Sequence, residues 1–176
     1  FKFIQAYYGV GLTVGEYIIQ ELSATTITIP PTEYSFGAYG FNGGINFVMP
    51  FGNKGSEWRI VGIETSIQNE FGDYLKFRKS NVDSKTIESN NWTKTVGGYS
   101  EIVWKLKEGY QFGYKLSCGE SLVSNNKYGV HNIPIYLLNT FHFTRENVTA
   151  FVQINAGTYA EGIQLGINYS ICKKKY

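Results

Sequence analysis

The sequence predicts an all-β fold, an eight-stranded antiparallel up-and-down transmembrane β-barrel that takes in residues 1–176 as a single domain. Three observations lead there. Period-two alternation of apolar and small polar residues recurs in eight segments, and an extended chain turns successive side chains to opposite faces. Connections between those segments are alternately short and long. Finally, 14 Tyr, 12 Phe and 20 Gly against 4 Pro favour sheets over helices.

The strands follow in order. In AYYGVGLTVG, Ala6, Tyr8, Val10, Leu12 and Val14 oppose Tyr7, Gly9, Gly11, Thr13 and Gly15. AYGFNGGINFVM sets Tyr39, Phe41, Ile45, Phe47 and Met49 against Ala38, Gly40, Asn42, Gly44 and Asn46. The third segment opposes Val61, Ile63, Thr65, Ile67 and Phe71 to Gly62, Glu64, Ser66, Gln68 and Glu70. A fourth turns Ile102, Trp104 and Leu106 away from Tyr99, Glu101, Val103 and Lys105. YQFGYKLSCG alternates most plainly, Tyr110, Phe112, Tyr114, Leu116 and Cys118 opposing Gln111, Gly113, Lys115, Ser117 and Gly119. IPIYLLNTFHF carries apolar groups on both faces, and Asn139 interrupts the better one. The seventh strand spans Val148 to Gly157, with Thr149, Gln153 and Asn155 on its polar side, and GIQLGINYSI closes the set.

Short Gly, Asn and charge-rich turns (PFGNKGSE, KEG, REN) join strands two to three, four to five and six to seven. Longer stretches join one to two, three to four and five to six, so the long loops gather at one end and both termini at the other. Two architectures accept such a meander: a soluble lipocalin-like carrier of an apolar ligand, or a membrane barrel. The polar faces decide for the membrane. They hold Gly, Ser, Thr, Asn and Gln with few charges, which suits a narrow lumen better than an outer surface facing water. The apolar faces agree. Tyr8, Phe47, Trp104, Tyr110, Phe143 and Tyr169 collect near the short-turn end, Tyr39, Phe71 and Tyr17 near the long-loop end, with aliphatics between: two aromatic girdles around a hydrocarbon band.

With this arrangement, the chain resembles the small eight-stranded outer-membrane barrels related to the transmembrane part of outer-membrane protein A and to outer-membrane protein X. IPIYLLNTFHF, TAFVQINAG and GIQLGINYSI carry the likeness, together with the short-turn and long-loop alternation. The resemblance implies the outer membrane of a bacterium, short periplasmic turns, longer extracellular loops and an aromatic assembly signal near the C-terminus, either Tyr176 or the internal Tyr169 to Ile171.

Bulk properties bound the function. A net charge of +2 gives no footprint for nucleic acid, and no run of about 18 apolar residues offers a transmembrane helix. Cys118 and Cys172 fall on opposite faces of non-neighbouring strands, so no disulfide is expected between them. Two His and two scattered Cys imply neither metal nor cofactor. Glu64, Glu101, Lys105 and Lys115 fall on the lumen faces of neighbouring strands and read as a structural polar network sealing the barrel.

An enzyme is not expected. Lipid-A-modifying barrels, the alternative, use His with a hydroxyl on the outer rim, whereas His142, Thr144 and Glu146 fall at the short-turn end, and His131 with Ser124 lies in a long loop. The expected role is a structural or interaction barrel, alone or as a subunit of a larger outer-membrane assembly. Its partners would be membrane lipid, and proteins bound through loops 21–34 and 79–92 or through the lipid-facing wall.

Overall fold

The computed structural model describes residues 3–19, 22–24, 27–29, 32–52, 55–80, 91–121, 135–157 and 160–175. Eight strands close a barrel: β1 (Ile4–Ile19), β4 (Thr32–Phe51), β5 (Ser56–Phe71), β6 (Trp92–Lys105), β7 (Tyr110–Ser121), β8 (Ile135–Arg145), β9 (Val148–Gly157) and β10 (Ala160–Lys175). Each pairs antiparallel with its neighbour, and β10 closes the ring on β1. Tight turns join β4 to β5, β6 to β7 and β8 to β9, with left-handed backbone at Gly52, Gly55, Glu108, Gly109 and Glu146.

The stagger of the ring follows from the register. From Gln5 the ladder passes through Asn46, Gly62, Tyr99, Ser117, Leu138, Asn155 and Gly162, and returns to β1 at Tyr17, twelve positions beyond Gln5. At about 3.3 Å per residue and about 4.8 Å between strands, this tilts the strands by about 45° and gives a backbone radius of about 9 Å.

The burial pattern is inverted relative to a soluble sheet protein. Ile63 (67% exposed), Phe41 (61%), Ile163 (60%) and Ile167 (56%) face outward, while Gln5, Asn46 and Ser117 are each 1% exposed and face the lumen. A soluble carrier would show the reverse. Trp104 stacks on Phe112 and Tyr110 on Phe143 at the short-turn end, and Tyr39 meets Phe71 at the other. The undecided sixth segment resolves as β8, with Thr140, His142 and Thr144 inward. Asn139 does face outward, where its Oδ1 accepts a hydrogen bond from the Tyr114 hydroxyl at 2.7 Å, so the exposed amide oxygen is satisfied within the wall.

Two expectations are corrected. Tyr17 does not join the outer girdle: it shares the parity of Tyr7 and Thr13, and its hydroxyl accepts hydrogen bonds from Gln164 at 2.5 Å and Asn155 at 3.3 Å inside the barrel. Segment 21–34 is not a plain loop either. Leu22–Ala24 and Ile27–Ile29 pair as a small hairpin, β2 and β3, and Thr32 already begins β4. Of segment 79–92, residues 81–90 lie outside the described residues. Its first two residues end a helix, α1 (Asp73–Ser80), that packs on β4 and β5.

Candidate functional site: the charged lumen

A bulge determines which charges enter the barrel. On β5, Ile60 and Val61 both face outward, and the register to β4 and β6 shifts there. Beyond the bulge the even positions Gly62 and Glu64 turn inward; before it the odd positions Glu57 and Arg59 do, at 4% and 7% exposure. Strict alternation, carried across this point, places Arg59 on the lipid side. The bulge reverses the parity and brings a cation and a carboxylate into the lumen.

Glu64, Glu101, Lys105 and Lys115 all face the lumen, but they do not form one four-membered cluster. Lys115 pairs with Glu64, which also accepts from the Tyr7 hydroxyl at 3.4 Å. Glu101 binds Arg59 Nη1 at 2.5 Å through Oε2 and lies 2.7 Å from His142 Nε2 through Oε1. Lys105 Nζ reaches Glu57 at 3.1 Å. Three carboxylates thus pair with three permanent cations, and a fourth, Glu70, is buried toward the long-loop end of β5, where it accepts a hydrogen bond from Thr93. The Lys115 ammonium also sits 4.5 Å from the centre of the Tyr99 ring, whose hydroxyl accepts from Asn46 at 2.7 Å. Burying this many charges is tolerable only because each has a partner at contact distance.

A different chemistry lines the wall opposite β5 and β6. Thr140 donates to Gln153 Oε1 at 3.2 Å, Gln153 donates to Gln164 Oε1 at 3.0 Å, and Gln164 donates to Tyr17. This relay crosses β8, β9, β10 and β1 with every donor pointing the same way around the wall. Nearer the mouth, Tyr17 packs on Phe36 and on Tyr74 of α1, each with ring centres 4.7 Å apart.

The residues weighed for hydrolytic chemistry are not assembled. His142 is engaged with Glu101, Thr144 shares a hydrogen bond with Thr149 at 2.8 Å, and Glu146 is exposed in the β8–β9 turn. His131 and Ser124 lie outside the described residues. Among the described residues no group of three His, Cys, Asp or Glu side chains is placed to hold a metal ion.

No protein-family model matches the chain, and no curated protein matches it. Among solved structures it is similar to a KdgM porin, at 12% identity over 95% of this chain and 99% of that one, with a TM-score of 0.29. It is likewise similar to a KdgM porin in complex with disordered oligogalacturonate, at 12% identity over 96% and 99%, with a TM-score of 0.27.

Proposed function

We propose that this chain is an integral outer-membrane barrel of the small eight-stranded kind, with a lumen closed by its ion pairs, serving as a structural or interaction protein. The observation that carries this reading is the inversion of the wall. Ile63 and Ile167, more than half exposed, stand in a continuous apolar band, while the ion pairs and the amide relay lie inside. An apolar exterior of this extent is stable in hydrocarbon and would aggregate in water. It counts against a soluble carrier, and the separation of His142 from Glu146 gives hydrolysis no support.

Closure is argued from charge. Arg59 and Glu101 on the adjacent strands β5 and β6, with His142 on β8, fill one level of the lumen with buried side chains, and an ion crossing that level would have to disturb a buried pair. Recognition of a partner would then fall to the long-loop end, where β2–β3 and α1 stand on the rigid scaffold. In cells the protein should be released from membranes only by detergent, and its unheated form should migrate differently from its heated form on a gel. Planar bilayers holding it should show no unit conductance steps. A monomer that stays in solution without detergent would overturn the membrane reading; regular conductance steps would overturn closure.

A further inference from the structure

The outer wall is not uniformly filled. A groove of about 540 Å³ crosses it from β7 over β8, β9 and β10 to β1, within the size range of ligand pockets. Its floor is Ala150, which presents a single methyl where its register partners are Phe143 of β8 and Ile167 of β10. One step further from the turn, Phe141 and Leu165 flank Val152. One step nearer the turn stands the row Arg145, Val148 and Tyr169.

We propose that this groove seats one acyl chain of an anionic phospholipid in the leaflet at the short-turn end, with the lipid phosphate against Arg145. The inference rests on the membrane reading above. From Arg145 to Phe141 is four residues, about 13 Å along a strand tilted by about 45° and so about 9 Å along the membrane normal, within the roughly 15 Å depth of one leaflet's hydrocarbon. The groove, which begins at Phe143 one step beyond Arg145, therefore lies wholly within one leaflet, alongside the part of one acyl chain nearest its headgroup.

Charge complementarity selects the headgroup. Arg145 is exposed, its guanidinium lies 5.1 Å from the centre of the Tyr110 ring, and that ring stacks on Phe143 of the groove wall. Cation, interfacial tyrosine and groove wall thus form one continuous stack. No carboxylate of a described residue forms an ion pair with Arg145, although Glu146 and Glu108 stand exposed in the turns at this end. On β10 the backbone continues past Tyr169 to Lys173, Lys174 and Lys175, in register with Tyr7, Ala6 and Gln5 of β1. A phosphate with no compensating ammonium suits this surface better than a zwitterion.

Native mass spectrometry of the detergent-released barrel tests the inference, with phosphatidylglycerol and phosphatidylcholine of identical chains supplied in equal amounts. One phosphatidylglycerol should stay bound per barrel, favoured about five-fold over phosphatidylcholine. Ala150→Phe should abolish retention of both lipids by filling the floor. Arg145→Gln should keep weak binding and erase the preference. Heat-modifiable migration of each variant confirms that it has folded, which keeps a failure of the membrane reading distinct from a failure of the lipid seat. Folded variants that retain phosphatidylglycerol like the parent, equal binding of the two lipids, or a barrel dimer that Ala150→Phe dissociates would each overturn it.

Discussion

Arg59 on β5 and Glu101 on β6 meet at 2.5 Å inside the barrel, and they can do so only because the bulge at Ile60 and Val61 turns Arg59 inward. Removing one partner leaves the other charge buried. Arg59→Met should therefore destabilise the barrel by about 3 kcal/mol in urea titrations in vesicles, whereas Arg59→Met with Glu101→Gln should cost distinctly less than the two single changes summed. Strict additivity would show that the pair is not coupled.

Orientation of the wall is tested one residue apart on β10. Leu165 is 55% exposed and faces outward, so Leu165→Arg should cost about 2–4 kcal/mol if that face meets hydrocarbon near the midplane. Gly166 faces inward, where a methyl group would run into the Phe151 ring and lie 2.8 Å from the Leu12 carbonyl oxygen. Gly166→Ala should cost about 1–3 kcal/mol by overpacking, with no dependence on bilayer thickness. The same unfolding assay in lipids of different chain length separates the two causes.

Tyr74 ties α1 to the barrel mouth through Tyr17 and Phe36. Tyr74→Ala should free the helix while leaving the strands paired. Tryptic cleavage after Arg78 or Lys79 should accelerate about five-fold, corresponding to about 1 kcal/mol of ring contact, with strand circular dichroism unchanged. Unchanged cleavage would show that the rings do not hold the helix.

At the start of α1, Asp73 accepts from Ser35 at 2.9 Å and from Lys76 at 2.8 Å, while Ser35 Oγ accepts from the Asp73 amide at 3.1 Å. These bonds, Lys76 first, hold the Asp73 carboxyl below its ordinary range. A carboxyl depressed in the folded state stabilises above its unfolded pKa of about 3.9 and loses that contribution as pH falls through the folded value. The Cα chemical shifts of residues 73–76 should move toward coil values only below about pH 4, and Asp73→Asn should remove the transition. The group is fully exposed, so the effect is local. Gly72, at φ 102° and with Ser35 oxygen 2.7 Å from where a Cβ would stand, is the position that allows the chain to enter this turn.

The barrel was legible because an inside-out wall writes its period into nearly every strand: Phe112 against Lys115, Leu165 against Gln164. What escaped the sequence did so for identifiable reasons. A period of two carries no mark of a bulge, so Glu57 and Arg59 were invisible as lumen charges although Lys105 and Glu101, their partners, were found. Tyr17 was misplaced by its residue type, since parity alone puts it inside with Tyr7. Strand β8 stayed ambiguous because Asn139 points to the apolar side, and only its bond to Tyr114, a cross-strand fact, makes that placement affordable. The turn-like residues before Thr32 hid a hairpin too short to show alternation.

The pairing of β10 with β1 joins residues more than 150 positions apart, such as Leu12 and Ile167. Until that seam shuts, the nascent sheet has two bare margins of amides and carbonyls, and at hydrocarbon depth neither has water to turn to. A chain stripped of its final strand is thus no slightly narrower cylinder but an open ribbon with nowhere stable to reside, which makes the last sixteen-residue strand the step that commits the protein to the bilayer.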